Sequence, residues 1–397
     1  DALDHLLTDI TADHEKRQSL QEKYERLGMQ TSHSRAELLQ NGSKQKPSFK
    51  EQEQVLIVAG GADPTMQNGI GAYKECLFEA LEGFQGTLIS GGTKTGVPGM
   101  IGEYSKRCKE AGNKSFVTVS YLPQYLPSDA QKDDRYDECY PLHCGRGFSA
   151  GEPLQNWIDL VAAGIKPSKV KVLGINGGRI AALEYRLALA LGAQVGVVTA
   201  SGRAVDELRP DVDWYNARNL LWLPRDKMTV RAFVHAIQTP PCSEEIKALG
   251  KAIHEKFLQE KRYPADDDAM KPWEQLGKTF KDSNLMQAAY LKQALVRNHY
   301  ALLPAPQPQT VEMFSPAEVE TMAEMEHGRW VVERLAEGWK YGPERDTVKM
   351  ISPYLVPWKD LPLKSQEYDR NAVRSWPTLL ANTGLAIVPA PEPAVVG

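Results

Sequence analysis

Cysteine is scarce in this chain: five residues in 397, an odd number and widely scattered. That excludes the disulfide framework of a small secreted domain and points to a reducing cytosol. Long apolar runs are missing too. Nothing approaches the roughly 20 consecutive apolar residues of a membrane-crossing helix, and no signal peptide is visible. There is no surplus of positive charge: the net charge is −4, which gives no global reason to expect a nucleic acid or an anionic membrane as partner. Metal-ligand spacing is absent as well. The densest cysteine region, "ECYPLHCGRG", holds Cys139, His143 and Cys144 but lacks paired CxxC spacing, so it reads as a packed loop. The first residue is Asp1 rather than Met, so processing, or an upstream domain cut away, is expected.

What is present begins with a change of texture. Residues 1–50 are polar and charged, with a weak helical stripe at Leu6, Leu7, Ile10, Leu20 and Tyr24 and then a linker. From Val55, short β-branched runs alternate with helical patterns: "VLIVAGG", "GTLISGG", "SFVTVSY", "KVKVLGI", "QVGVVTAS" and "LLWLP". Buried strands alternating with helices predict an α/β fold with a doubly wound, parallel, Rossmann-like sheet over residues 51–240. A helix over Thr229–Ile237 and the "TPPC" boundary close this domain. Residues 243–390 read as a second, mainly helical domain.

Three predicted strand-to-helix turns are rich in glycine: 59–63, 90–99 and 176–182. In an open parallel sheet such turns gather at the carboxyl edge, where ligands bind. Glycine lets backbone approach a phosphate, and a helix start offers free N–H groups. The candidate binding residues are Gly60, Gly61 and Asp63; Gly91, Gly92, Thr93, Lys94, Thr95, Gly96 and Gly99; and Asn176, Gly177, Gly178, Arg179 and Glu184. The same glycines also serve tight turns and close packing. Glu184 falls on the apolar stripe of Ile180, Leu183, Leu187 and Leu191, while Arg186 points away from it. A carboxylate there needs a partner, so Glu184 is a catalytic group, a ligand contact or a satisfied core charge.

The second domain contains an internal repeat. "PWEQLGKTFKDSNLMQAAYLKQALVRNHYALLP" (272–304) aligns without gaps to "PWKDLPLKSQEYDRNAVRSWPTLLANTGLAIVP" (357–389). Upstream, His254 pairs with His327 and Phe257 with Trp330. Trp273 follows His254 by 19 residues and Trp358 follows His327 by 31, so the second copy carries 12 more. The copies, about 243–304 and 316–389, predict two related helical units with pseudo-two-fold symmetry. Glu326 and Trp330 stand where the first copy has Ile253 and Phe257, and the extra loop adds Trp339, Tyr341, Arg345 and Asp346. These aromatics and Trp358 either stack a base or fill the core.

"SGGTKTGVPG" followed by "NGGRIAALEYRLALALGAQVGVV" resembles the SLOG superfamily of nucleotide-binding Rossmann-like domains. That superfamily includes the LOG phosphoribohydrolases and the sensor domains of melastatin-type channels. Gly177, Gly178 and Glu184 match the LOG pattern PGGxGTxxE, whereas Asn176, Ile180 and Ala181 replace its proline, third glycine and threonine. The resemblance implies a nucleotide or NAD-derived ligand. "MAEMEHGRWVVERLAEGWKYGPERDTVKMISPYLVPWKDLP" with "DRNAV" resembles the RyR domain, the tandem repeat named for ryanodine receptors. In bacteria such domains accompany SLOG-type domains in systems thought to sense nucleotide signals, often in phage defence.

These features predict a cytoplasmic ligand sensor, homo-oligomeric and controlling an upstream or separate effector, with no required cofactor, no metal and a nucleotide-type small molecule as ligand. A hydrolase of glycosidic bonds in nucleotides or NAD, with Glu184 as its acid/base, is the alternative. An oligomeric scaffold with vestigial pockets is the third reading.

Overall fold

The computed structural model describes residues 47–51, 54–62, 69, 71–142, 147–237, 243–259 and 267–390. The helical stripe expected in residues 1–50 lies outside them almost entirely, as do Asp63, His143, Cys144 and the "TPPC" boundary. Two compact units are present. One holds the chain up to Val234 together with Val332–Leu355, and the other holds His235–Val331 with Val356 onward.

The first unit is built on seven strands: β1 (Val55–Gly60), β2 (Gly86–Ile89), β3 (Phe116–Pro123), β4 (Glu138–Leu142), β5 (Val170–Ile175), β6 (Gln194–Val198) and β7 (Leu220–Leu223). Their order is β4-β3-β2-β1-β5-β6-β7, and every neighbouring pair is parallel. Because helices cover both faces, the central strands are apolar throughout rather than alternating; all six residues of β5 are buried. The strand at 138–142 corrects the loop expected at "ECYPL". It is short and only partly buried, and Pro141 is tolerated because β4 lies at the sheet edge.

Helices α1 (Lys74–Leu81), α2 (Gly96–Glu110), α3 (Gly151–Ala162), α4 (Arg179–Leu191), α5 (Ala204–Glu207) and α6 (Lys227–His235) join or follow these strands. The strand order reverses between β1 and β5, so the switch-point crevice lies between their carboxyl ends. β5 buries Lys171, whose ammonium donates to Phe233 O and Val234 O, both at 2.9 Å. Those carbonyls belong to the last turn of α6 and have no acceptor role inside the helix. Burial pushes the Lys171 amine down to about 7. Arg186, expected to face away from the core, is itself buried and donates to Asp211 Oδ2 at 2.6 Å. A guanidinium is tolerated there because it is paired.

The second unit contains α7 (Glu244–Gln259), α8 (Lys278–Arg297), β8 (Tyr300–Pro304) and most of α9 (Pro316–Ala336). It ends with α10 (Leu363–Arg374), α11 (Trp376–Asn382) and β11 (Leu385–Pro389). The repeat is visible element by element. A shift of 85 (358 − 273) carries the short 3-10 turn Trp273–Gln275 onto Trp358–Asp360. The same shift carries α8 onto α10 plus α11, and β8 onto β11. Where α8 runs unbroken, Pro377 has no N–H to continue the helix, so the second copy splits at Ser375. β8 and β11 pair antiparallel, with Tyr300 opposite Pro389, Leu302 opposite Ile387 and Pro304 opposite Leu385. Leu302 and Ile387 are equivalent in the repeat, so the pseudo-two-fold axis passes between them. Each copy also fixes its histidine in one way. His254 Nε2 meets Lys271 O at 2.8 Å and His327 Nε2 meets Val356 O at 2.9 Å, each two residues before the paired tryptophan.

The extra residues of the second copy form a small parallel ladder, β9 (Lys340–Tyr341) with β10 (Ile351–Ser352), within the first unit. There Lys340 Nζ donates to Asn216 Oδ1 at 2.7 Å and lies over the Tyr215 ring. Among the described residues, no helix is long and apolar enough to cross a membrane, and no group of three or more His, Cys, Asp or Glu is placed to hold a metal ion.

Candidate functional site

The glycine-rich turns meet at the carboxyl edge, but they differ in what they leave open. At the second turn the chain occupies its own helix start. Val97 N donates to Gly61 O at 2.8 Å, Pro98 has no N–H, and Gly99 N turns back to Thr95 O at 3.3 Å. Thr95 Oγ1 is bonded to Ala62 O at 2.7 Å. The segment 131–136 then packs on this turn. Lys94 N donates to Gln131 O, Asp133 N to Gly92 O, and Tyr136 Oη to Pro98 O at 2.8 Å. Arg135 bridges Asp133 and Gly99 O. A Cβ at Gly60, Gly92, Gly96 or Gly99 would lie 1.9–2.5 Å from another atom of the chain. These glycines are therefore required by internal packing alone. Thr93 is buried, while Gly91 and Lys94 face solvent.

The third turn is different. Asn176 (φ 60) and Gly177 (φ 102) turn the chain sharply out of β5. Asn176 spends its side chain locally: Nδ2 donates to Ser201 O at 2.6 Å, and Oδ1 accepts from Gly177 N at 2.8 Å. Tyr185 Oη reaches Ala59 O and Asn176 O, tying α4 to the ends of β1 and β5. Beyond Gly177, the N–H groups of Gly178, Arg179, Ile180 and Ala181 meet no acceptor among the described residues. They point out of the start of a 13-residue helix, whose dipole favours an anion there.

One cation at this turn escaped the sequence reading. Among the described residues, Arg203 Nη2 is the one atom within 4 Å of a Cβ built on Gly178, at 3.5 Å. Arg203 itself has φ 50 and ψ −122, a region that suits glycine and is costly for other residues. Of the five described non-glycine residues with positive φ, three (Asn176, Ala200 and Arg203) lie in the β5 and β6 turns. No sequence motif marks Arg203; it reaches Gly178 because the β6 turn folds back, with Ala204 N on Gly177 O and Val205 N on Asn176 O.

Glu184 lies in the second turn of α4. It is half-buried, no described residue pairs with its carboxylate, and burial alone pushes it from 4.5 up to about 7. Its direction follows from its neighbours. Tyr185 faces the sheet and Arg186 faces Asp211 beyond α5. At about 100° per residue, Glu184 is thus turned to the opposite flank of α4, toward the side of the sheet that α3 covers.

The aromatic and acidic candidates of the second copy are largely engaged. Glu326 is buried, accepts from Arg329 Nη2 at 2.8 Å and from Gln287 Nε2 at 3.0 Å. Trp358 is buried; its Nε1 donates to Glu320 Oε1 at 2.9 Å, and Arg370 lies over its ring while pairing with Glu320 at 2.6 Å. Trp330 is half-buried and stacks on His327. Those three belong to the second unit, whereas Trp339, Tyr341 and Arg345 belong to the first. Trp339 is half-buried with Arg334 over its ring, and Tyr341 and Arg345 face solvent.

The fold thus defines a two-part protein, a Rossmann-like α/β unit followed by a helical repeat unit. The family model of the RyR domain matches residues 310–389, and that stretch is an RyR domain. It covers the second copy of the repeat together with the inserted loop. The α/β part is similar to several solved structures. The protein TM1055 is 19% identical, with 43% of this chain and 91% of that chain covered and a TM-score of 0.28. The molybdenum cofactor carrier protein from Chlamydomonas reinhardtii is 20% identical, with 43% and 90% covered and a TM-score of 0.30. The molybdenum cofactor binding protein from Rippkaea orientalis is also 20% identical, with 45% and 90% covered and a TM-score of 0.27.

Proposed function

We propose that the α/β unit binds a small nucleotide-type ligand at the β1–β5 switch point and that the chain works as a sensor of that ligand. The observation that carries this reading is the contrast between two helix starts. The amides of α2 are spent on the chain itself, while those of α4 are open beside Arg203. A phosphate on Gly178, Arg179 and Ile180 N–H would receive charge-assisted hydrogen bonds, and Glu184 would accept from a ligand hydroxyl. Binding would favour one of two states of the chain and so control an effector, provided the ligand's affinity differs between them. The biological setting we propose is cytosolic, in bacterial stress or phage defence, with the chain acting as a homo-oligomer.

The test is a thermal-shift screen of linear and cyclic adenine nucleotides, ADP-ribose and NAD, with Arg203→Ala and Lys94→Ala beside the parent. A ligand at a hundredfold excess over its Kd stabilises by about 2.7 kcal/mol, which is easily read. The expected result is a hit weakened in Arg203→Ala and unchanged in Lys94→Ala. No shift with any phosphate-bearing compound refutes the reading.

Glu184 favours a second reading. A carboxyl held at about 7 is partly protonated at neutral pH, which suits an acid that assists departure of a base from a ribose. Release of free base or nicotinamide, abolished in Glu184→Gln, would establish the hydrolase; tight binding without turnover would dismiss it.

A further inference from the structure

The second copy of the repeat encloses its histidine differently from the first. His327 is only 2% exposed. Its ring lies beside two indoles, with Trp330 stacked at 6.0 Å and Trp358 tilted at 5.7 Å between centroids. Nε2 meets Val356 O at 2.9 Å. A carbonyl can only accept, so Nε2 carries the proton of the neutral ring. The other nitrogen, Nδ1, faces Asp369 Oδ2 of α10 at 3.7 Å.

That geometry decides what Nδ1 must do. In the neutral ring Nδ1 is a lone pair, and it opposes a carboxylate that also only accepts. A proton placed on Nδ1 turns this repulsion into an ion pair. Burial works against a charged ring. The Asp369 carboxylate works for it, and so do the faces of Trp330 and Trp358, since an indole attracts a cation within about 6 Å. The other charges on the surrounding elements largely cancel. Arg370 lies over Trp358 and is paired with Glu320 at 2.6 Å. Arg329 is paired with Glu326 at 2.8 Å, and Glu367 with Arg370 and Arg374. Lys359 and Asp360 of the Trp358 turn face solvent. Glu324, one turn before His327 on α9, adds negative charge and so favours the proton.

The first copy is a control built into the same chain. His254 is fixed to Lys271 O at 2.8 Å in the same way. There Phe257 stands for Trp330 and, at the shift of 85 (369 − 284), Asn284 stands for Asp369. The Asn284 amide turns back to Phe280 O at 2.8 Å. The carboxylate therefore belongs to the second copy alone and is not part of the packing that the two copies share.

Its place gives the pair a use. Val356 is where the chain returns to the second unit after the insert, and Trp358 opens the short turn that leads into α10. We infer that His327 and Asp369 share one titrating proton and form a pH-sensitive latch, closed when protonated, that pins the Trp358 turn and α10 to α9. The Nε2 bond holds the turn, and the protonated Nδ1 adds α10 to it. Loss of the proton leaves two acceptors facing each other and releases α10. The sign follows from proton binding. The folded pair holds its proton more tightly than a histidine of the unfolded chain. This stabilisation is complete below about 6.5, the ordinary histidine value, and is lost as pH rises through the pair's own higher value. The latch needs no ligand.

The experiment is an NMR titration of the imidazole nitrogens in the full chain made with isotope-labelled histidine. His327→Gln identifies the signal, and Asp369→Asn gives the second copy the residue of the first. Hydrogen exchange reads the latch at the amides of Asp360 and Leu361, which close the Trp358 turn onto Pro357 O and Trp358 O. The expected result is a His327 midpoint above about 6.5, lowered in Asp369→Asn by a loss of about tenfold or more in proton affinity. Exchange at Asp360 and Leu361, corrected for its intrinsic pH dependence, should quicken in the parent as pH rises through that midpoint. In Asp369→Asn it should be fast at every pH above the lowered midpoint. A parent midpoint at or below about 6.5, or one that Asp369→Asn leaves in place, overturns the shared proton. A midpoint that moves as expected while exchange ignores pH overturns the latch. The parent titration decides the first point by itself should Asp369→Asn fail to fold.

Discussion

Replacing Glu184 by glutamine removes a titratable group while keeping its shape. The carboxyl sits at about 7 in the folded chain against an ordinary 4.5, raised by burial. At about 1.4 kcal/mol per pH unit, that gap caps the cost of ionising it in the fold at ~3 kcal/mol. Part of the residue meets solvent, so water screens the charge and ~1–2 kcal/mol is the expected value. The sign follows from proton uptake. Between 4.5 and 7 the folded chain holds a proton that the unfolded chain has lost, so this contribution to stability is full below 4.5 and lost as pH rises through 7. Glu184→Gln should therefore match the parent near pH 4.5 and exceed it by ~1–2 kcal/mol at pH 8. Urea denaturation of both proteins at several pH values measures it. A gap independent of pH, or a parent that gains stability relative to the variant between pH 5 and 8, refutes the burial argument and implies a cation beside Glu184.

Three other substitutions test the frame around the site. Lys171→Met takes the ammonium donor from Phe233 O and leaves Val234 O with Gln54 Nε2, and should cost ~1–3 kcal/mol at pH 7 by denaturant melts. Because the folded chain sheds the Lys171 proton near 7 rather than 10.5, parent stability should rise with pH across that window and the variant's should not. Asn176→Ala loses the side-chain bonds to Ser201 O and Gly177 N and leaves at φ 60 a residue that tolerates the left-handed region less well than asparagine, for a loss of ~2–3 kcal/mol, with Asn176→Gly recovering the backbone part. Glu320→Gln removes the charge that Arg370 and Trp358 share; the pair is partly exposed, so ~1 kcal/mol or less is expected in thermal melts, and no change in nucleotide binding by the α/β unit.

Much of this architecture was legible in local pattern. Period and composition mark the strands from Val55 to Leu223 as buried and parallel, because a strand covered on both faces must be apolar throughout. The repeat alone predicts two related units with pseudo-two-fold symmetry, and the antiparallel pairing of β8 with β11 sets its axis between Leu302 and Ile387. The pattern at Asn176–Glu184 locates a turn and a helix start. Three things were decided only by distant segments meeting. Val97 N at the start of α2 is taken by Gly61 O, and Lys94 N just before it by Gln131 O, so a glycine-rich stretch with the texture of an anion cradle is bonded to its own chain. Arg203 reaches Gly178 through a turn two elements away. The stripe Glu152, Gln155, Asn156 and Asp159 has the period of a solvent face, yet the fold buries it. Periodicity reports which residues share a side of a helix; what lies against that side is set by the rest of the chain.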